Sequence, residues 1–131
     1  MRIELYLLGA TLILALVQIL LTAQLRTRQY GVTWNTGPRD ESMPPLKPLP
    51  GRLLRAQENL FETLPLFIGA VLGAAVAGRL GTLTTIGACL YFFGRLVYLP
   101  LYAAGIPVVR SLVWMAATGG LVLVIAGFML G

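Results

Sequence analysis

The sequence predicts an all-α integral membrane protein, a bundle of four transmembrane helices, and three observations support this fold class. Of the 131 residues, 57% are hydrophobic and only 11% are charged, whereas about 25% of an ordinary soluble domain is charged. A membrane-spanning helix needs about 20 apolar residues, so the chain is long enough for about four crossings. The apolar residues also form long runs between clusters of proline, glycine and charge. We therefore expect residues 1–131 to form a single membrane domain.

The first two predicted helices cover residues 4–28 and 51–78. The segment from Leu5 to Leu25 carries no charge and is long enough to cross the membrane. It lacks the short apolar core and small-residue cleavage site of a signal peptide, so we expect it to be retained. Residues 29–50 are rich in proline, which interrupts helices, and they predict a loop at the membrane surface.

The last two predicted helices cover residues 82–104 and 107–130. Arg79-Leu80-Gly81 makes a tight connection to the third helix, and Gly105-Ile106-Pro107 separates it from the fourth. Pro107 suits the first turn of a helix, where its missing N–H is not needed. Four crossings place both termini on one side of the membrane and the 29–50 loop on the other.

The distribution of basic residues predicts the orientation. Only Arg2 and Arg79 fall on the side of the termini. Eight basic residues fall on the side of the long loop, namely Arg26, Arg28, Arg39, Lys47, Arg52, Arg55, Arg95 and Arg110. Because Lys and Arg concentrate in cytoplasmic loops, we expect the loop in the cytoplasm and both termini on the opposite side, in the inner or plasma membrane if the source is bacterial.

The composition also argues against several classes of function. The formal net charge is +5, but the basic residues gather beside predicted membrane spans and form no solvated patch of the kind that binds nucleic acid. The chain has no histidine and a single cysteine, Cys89. We therefore expect no nucleic-acid partner, no metal site, no histidine-based acid–base catalysis and no intrachain disulfide.

A polar stripe enters the membrane along the second predicted helix. Arg52, Arg55, Asn59 and Glu62 share one helix face, with Glu58 at its margin. The stripe is about 15 Å long at the helical rise, roughly half the hydrocarbon thickness. A charge at the bilayer centre costs at least ~2.5 kcal/mol, so such residues usually face a cavity and mark function. The alternative is an internal salt bridge from Arg55 to Glu58 or Glu62 that joins helices.

The other three helices bring polar residues to the same membrane level. The third helix carries Arg95, Tyr98 and Tyr102 on one face, by the same spacing rule. The first ends in Gln24, Arg26 and Arg28, and the fourth begins with Arg110, Ser111 and Trp114. The aromatic residues alone would fit an interfacial belt, but a belt does not need buried acids. The combined set predicts a ligand cavity.

The chemistry of this set suggests a small zwitterion with more than one carboxylate. Guanidinium groups bind carboxylates bidentately, while Glu62 and Asn59 could accept hydrogen bonds from an ammonium group. Glutathione has two carboxylates, an ammonium group and a thiol. Arg110 beside that thiol would favour the thiolate and supply a nucleophile without histidine.

The second helix carries a family motif. Residues 55–67 read RAQENLFETLPLF and resemble the signature R-A-x-x-N-x-x-E-x-x-P-x-F of the membrane-associated proteins in eicosanoid and glutathione metabolism, the MAPEG superfamily. The other helices also carry segments that resemble motifs of this family: Gln24-Leu25-Arg26 at the end of the first helix, Arg95-x-x-Tyr98-x-x-x-Tyr102 in the third, and Arg110-Ser111 in the fourth. Glu58 and Tyr98 point to a bacterial-type member similar to the microsomal glutathione transferase and leukotriene synthase branch.

The resemblance implies a homotrimer of four-helix bundles, with glutathione bound between neighbouring subunits near the cytoplasmic face. It implies that Arg55, Asn59 and Glu62 hold the peptide, and that Arg26 and Gln57 assist. By the same resemblance Tyr98 and Tyr102 line the site, and Arg110 is the catalytic residue that stabilises the thiolate. Arg52 and Arg95 are assigned to scaffold or rim roles.

The function expected from the resemblance is a glutathione-dependent transferase or peroxidase, with glutathione as co-substrate. It would conjugate or reduce hydrophobic electrophiles or lipids that enter from the bilayer, as detoxification enzymes do. The first alternative is a non-catalytic membrane protein of the same fold that binds a ligand or partner. A proton-coupled exporter is a further alternative, but it should carry a membrane-embedded carboxylate in its first helix, and Leu5 to Leu25 has none.

Overall fold

The computed structural model describes residues 2–131 and is helical throughout apart from short connections. Four of its helices are long and apolar enough to cross a membrane, which confirms the prediction of an all-α, multi-pass integral membrane protein. The helices are α1 Ile3–Tyr30, α2 Val32–Thr36, α3 Pro48–Val76, α4 Thr82–Ala103 and α5 Pro107–Leu130.

The predicted boundaries need correction mainly around the long loop. Helix α3 begins at Pro48 and not at residue 51, because proline is tolerated in a first turn whose N–H groups have no intrahelical acceptor. It ends at Val76, short of residue 78, and Gly78 follows with a left-handed φ of 70°. Helix α1 extends to Tyr30, two residues beyond the predicted end at 28. The loop therefore shortens to residues 31–47.

The loop folds back onto the end of α1 and contains the short helix α2. The Gln29 side chain donates to the Pro45 carbonyl over 2.9 Å and accepts from the Lys47 N–H over 2.8 Å. The Tyr30 hydroxyl donates to the Pro44 carbonyl. Both ends of the loop are therefore fastened beside the last turn of α1.

Helices α4 and α5 pack as an antiparallel hairpin with very close backbones. A Cβ atom at Gly120 would lie 2.6 Å from the Gly87 carbonyl oxygen and 2.8 Å from the Tyr91 nitrogen. Glycine allows this approach because it has no side chain, as small residues do at membrane helix interfaces. The hairpin brings the beginning of α5 next to the last turns of α4.

The bundle core lies among α1, α3 and the α4–α5 hairpin. Phe67 of α3 stacks on Tyr91 of α4 with ring centroids 4.2 Å apart, and the Tyr91 hydroxyl is 2.8 Å from the hydroxyl of Thr63. At the far end, the buried Glu4 carboxylate accepts a 2.7 Å hydrogen bond from Thr84 and joins α1 to the start of α4. These contacts fix the position of α4 relative to α3 and α1.

Candidate functional site

A cavity of about 390 Å³ opens between α3, α4 and α5, at the end of the bundle where α5 begins. Its walls combine polar and aromatic side chains with one arginine. The lining residues are Asn59, Tyr98, Arg110, Ser111, Trp114 and Met115. Among the residues that the structure describes, Arg110 is the only charged group in this lining and no carboxylate contributes to it. The cavity therefore suits an anionic group.

Two arginines and two tyrosines form a continuous series beside this cavity. The guanidinium carbon of Arg95 lies 4.5 Å from the ring centroid of Tyr98, and that of Arg110 lies 4.5 Å from the ring centroid of Tyr102. The two tyrosine rings meet edge to face with centroids 5.6 Å apart. Each arginine is thus held against an aromatic face, where cation–π attraction favours it.

Arg95 is buried and hydrogen-bonded to α3. Its side chain is 2% exposed, and its Nη1 donates to Oδ1 of Asn59 over 2.8 Å. Because a guanidinium has donors and no acceptor, the amide oxygen of Asn59 must face Arg95. Arg95 therefore occupies one acceptor position of this oxygen, and the expectation that Asn59 also accepts a hydrogen bond from an ammonium group stays a prediction.

Three charges of the α3 stripe lie on the outer surface of the protomer, whereas Arg52 is half-buried and donates to the Ala103 carbonyl over 3.4 Å. Arg55, Glu58 and Glu62 are exposed, and within residues 2–131 the one ion pair joins Arg2 to Glu4 over 3.4 Å. The alternative of an internal salt bridge from Arg55 to Glu58 or Glu62 is wrong for the protomer. These charges therefore need solvent, a ligand or another subunit as their partner.

Gln57 lies on the other side of α3. At 100° per residue it stands about 160° around the helix axis from Asn59, so the two side chains cannot face one cavity of the same protomer. Its Oε1 is buried and has no hydrogen-bond partner among the described residues. Arg26 is also separate, with its guanidinium carbon 5.6 Å from the centroid of Trp34 in α2.

A comparison with protein families gives a match to the model described as the MAPEG family, over residues 5–130. The chain belongs to the MAPEG family. Comparisons with curated proteins and with solved structures found no match. The resemblance of residues 55–67 to the family signature is thus supported by a match along nearly the whole chain. Membership fits the four helices and suggests a role in glutathione or eicosanoid metabolism.

The residues proposed for ligand binding in this MAPEG protein fall into two groups. The cavity and its adjoining series contain Asn59, Tyr98, Tyr102 and Arg110. The other four are outside the cavity lining, namely Arg26, Arg55, Gln57 and Glu62. A single protomer therefore assembles half of the expected set.

Arg95 is the residue whose place the sequence did not predict. The scaffold or rim assignment located it near the site but did not identify its partner. The spacing from Arg95 to Tyr98 does place the two on one face of α4, which was the available signal. The bond to Asn59 depends on how α4 is rotated against α3, and helix periodicity alone does not give that rotation.

An apolar crevice lies on the outer surface of the α4–α5 hairpin. It measures about 360 Å³ and is lined by Cys89, Leu90, Phe93, Gly94, Val97, Val113 and Ala116. Gly94 and Val97 precede Tyr98 by one turn or less along α4. The MAPEG protein therefore has an apolar crevice on the same hairpin that carries Tyr98 and Arg110.

Proposed function

We propose that this MAPEG protein is a glutathione-dependent membrane transferase or peroxidase that acts on hydrophobic electrophiles from the bilayer. The observation that carries the proposal is the cavity beside the Tyr98–Tyr102 pair, in which Arg110 is the charged lining residue and the described part of the chain adds no carboxylate. Such a cavity favours a thiolate over a thiol.

Arg110 is the proposed catalytic residue. A guanidinium next to the sulfur lowers the pKa of the bound thiol, because positive charge stabilises the ionised form. Arg110 stands in the first turn of α5, where the helix dipole acts in the same direction. The hydroxyl of Tyr98 or Tyr102 is the second candidate, as a hydrogen-bond donor to the sulfur.

Two reactions follow from a thiolate at this place. In conjugation, sulfur bonds to the electrophilic carbon, the leaving group departs with its bonding electron pair, and the thiol proton passes to solvent. In peroxide reduction, two glutathione molecules are oxidised to the disulfide while the O–O bond is reduced to an alcohol and water. The apolar crevice on the α4–α5 hairpin is a suitable entry surface for either acceptor.

The site is proposed to be shared between subunits of a homotrimer. Arg55 and Glu62 are exposed on the protomer within a membrane-spanning helix, and charges at such depth need a polar neighbour. Because Asn59 and Gln57 face opposite sides of α3, a single glutathione touching both would require two subunits. Arg26 would join Gln57 from the second subunit. The predicted cytoplasmic side for the long loop would give this site access to cytoplasmic thiols.

Calorimetry on the purified protein in mild detergent measures glutathione binding. On the same sample, the mass of the protein particle gives the number of subunits, and turnover is measured with chlorodinitrobenzene and with cumene hydroperoxide. Saturable binding to a trimer with turnover of either acceptor is expected. Binding without turnover would favour the non-catalytic alternative. Absence of glutathione binding would contradict the thiol site. A monomer that binds glutathione with full affinity would contradict a site shared between subunits.

A further inference from the structure

We infer that Arg95 is a positioning residue that makes Asn59 a hydrogen-bond donor to an acceptor atom of the bound thiol ligand. The inference rests on the proposed thiol site. It adds Arg95 to that site and specifies that Asn59 donates its hydrogen bond to the ligand. It replaces both the scaffold role of Arg95 and the expectation that Asn59 accepts from an ammonium group.

The first step is the direction of the Asn59 amide. A side-chain amide can present its oxygen or its NH₂ group to a given neighbour, and the hydrogen-bond network decides between them. Arg95 offers only donors and lies 2.8 Å from Oδ1 of Asn59. The oxygen is therefore directed at Arg95, and the NH₂ group is left for the cavity that Asn59 lines.

The second step is that Arg95 itself has little freedom to move. Its side chain is 2% exposed and lies against the face of Tyr98 at 4.5 Å. Its Nε is buried without a hydrogen-bond partner in the described chain. The hydrogen bond to Asn59 therefore satisfies one donor of a guanidinium that is otherwise poorly paired. Burying a guanidinium is costly, and a role confined to helix packing could be filled by an apolar side chain of similar volume.

The third step is the polarity that results. Asn59 adds NH₂ donors to a cavity that already holds the Arg110 guanidinium, so that acceptor atoms of a ligand are favoured on both sides. Within glutathione, these atoms are the carboxylate and amide oxygens, or the ionised sulfur. The ammonium group of the ligand must then be held elsewhere, and the exposed Glu62 carboxylate is the acid on the same side of α3.

The sharpest variant is Asn59→Asp, because it changes the group facing the cavity from a donor to an acceptor. The new carboxylate can still accept from Arg95, so the protein should remain assembled. If Asn59 donates, glutathione affinity should fall at least as far as in Asn59→Ala, by about tenfold or more. If Asn59 instead accepts from the ammonium group, Asn59→Asp should bind glutathione more tightly than wild type.

A double-mutant cycle tests the link to Arg95. Arg95→Met should weaken glutathione binding by about tenfold in wild type and by less than about threefold in the Asn59→Ala background, because the amide it directs is then absent. Arg95→Lys retains a charge and a donor and should recover part of the affinity. Arg79→Met is the matched control, since Arg79 binds the Phe128 and Met129 carbonyls at the other end of the bundle.

Calorimetry with glutathione and melting temperature, measured on each detergent-solubilised variant, separate the outcomes. Coupled losses of affinity, with Asn59→Asp weakened, are the expected result. A merely structural Arg95 would lower the melting temperature and give additive losses, which would overturn the inference while the thiol site stands. A wild-type protein that binds no glutathione would overturn the thiol site and this inference together.

Discussion

Replacing Gly120 with alanine should separate helices α4 and α5, although the same change at its neighbour should not. A Cβ atom at Gly120 would lie 2.6 Å from the Gly87 oxygen, 2.7 Å from the Leu90 Cβ and 2.8 Å from the Tyr91 nitrogen. Two of these atoms belong to the α4 backbone, which cannot rotate away as a side chain could. The helices must therefore move apart.

The expected size follows from two opposed contributions. Overpacking of a close contact typically costs about 1–3 kcal/mol, and glycine to alanine within a helix gains about 1 kcal/mol. Gly120→Ala should therefore destabilise the protein by up to about 2 kcal/mol. Gly119→Ala gains the same helix propensity, and its Cβ would meet nothing within 4 Å in the protomer. The two adjacent variants should differ by about 1–3 kcal/mol.

Reversible unfolding of both variants in mixed detergent, followed by circular dichroism and repeated at several denaturant concentrations, measures this difference. Gly120→Ala should also reduce thiol turnover, because the hairpin sets the distance between Tyr102 and Arg110. Equal stability of the two variants would refute the close packing of α4 and α5 described above.

Three further predictions concern the proposed site. Arg110→Ala should still bind glutathione but lower conjugation at neutral pH by about 100-fold or more. Because loss of the positive charge raises the pKa of the bound thiol, the thiolate absorbance and the conjugation rate should recover as the pH rises. An unchanged thiolate titration would exclude Arg110 from the chemistry. Glu62→Gln should leave the trimer assembled and reduce thiol affinity, because Glu62 is proposed to face the ligand, whereas equal losses of assembly and binding would favour a structural role. Cysteines introduced at Asp40 or Ser42 should react with reagents from the cytoplasmic side, and labelling from the other side would reverse the orientation.

The sequence predicted those parts of the fold that depend on local signals. Helix α5 begins and ends where expected, because Gly105 and Pro107 mark its start without ambiguity. The start of α3 was placed too late, since Pro48 and Pro50 were interpreted as loop residues although the first helical turn accepts proline. Helix α2 was missed because five residues are too few to display a helical period.

In the candidate site, too, the sequence predicted features within one helix and missed a contact between two helices. The stripe through Asn59 was recognised from its spacing, and α3 does carry Arg55, Asn59 and Glu62 on neighbouring positions of one side. The hydrogen bond between Asn59 and Arg95 joins residues 36 positions apart, and it depends on the packing of Phe67 against Tyr91. Such a contact is a property of two helices together, so neither helix pattern could have predicted it.

The fastening of the long loop has a consequence for tolerance of length changes. Gln29 and Tyr30 hold the Pro44–Lys47 segment by hydrogen bonds. The intervening residues therefore form a closed loop whose two ends are held together independently of its length and sequence. Doubling the length of a flexible ring costs only about 0.6 kcal/mol of closure entropy. Insertions near Arg39 should therefore leave α1 and α3 in register, which makes this segment the natural place for evolutionary additions and for engineered reporter domains.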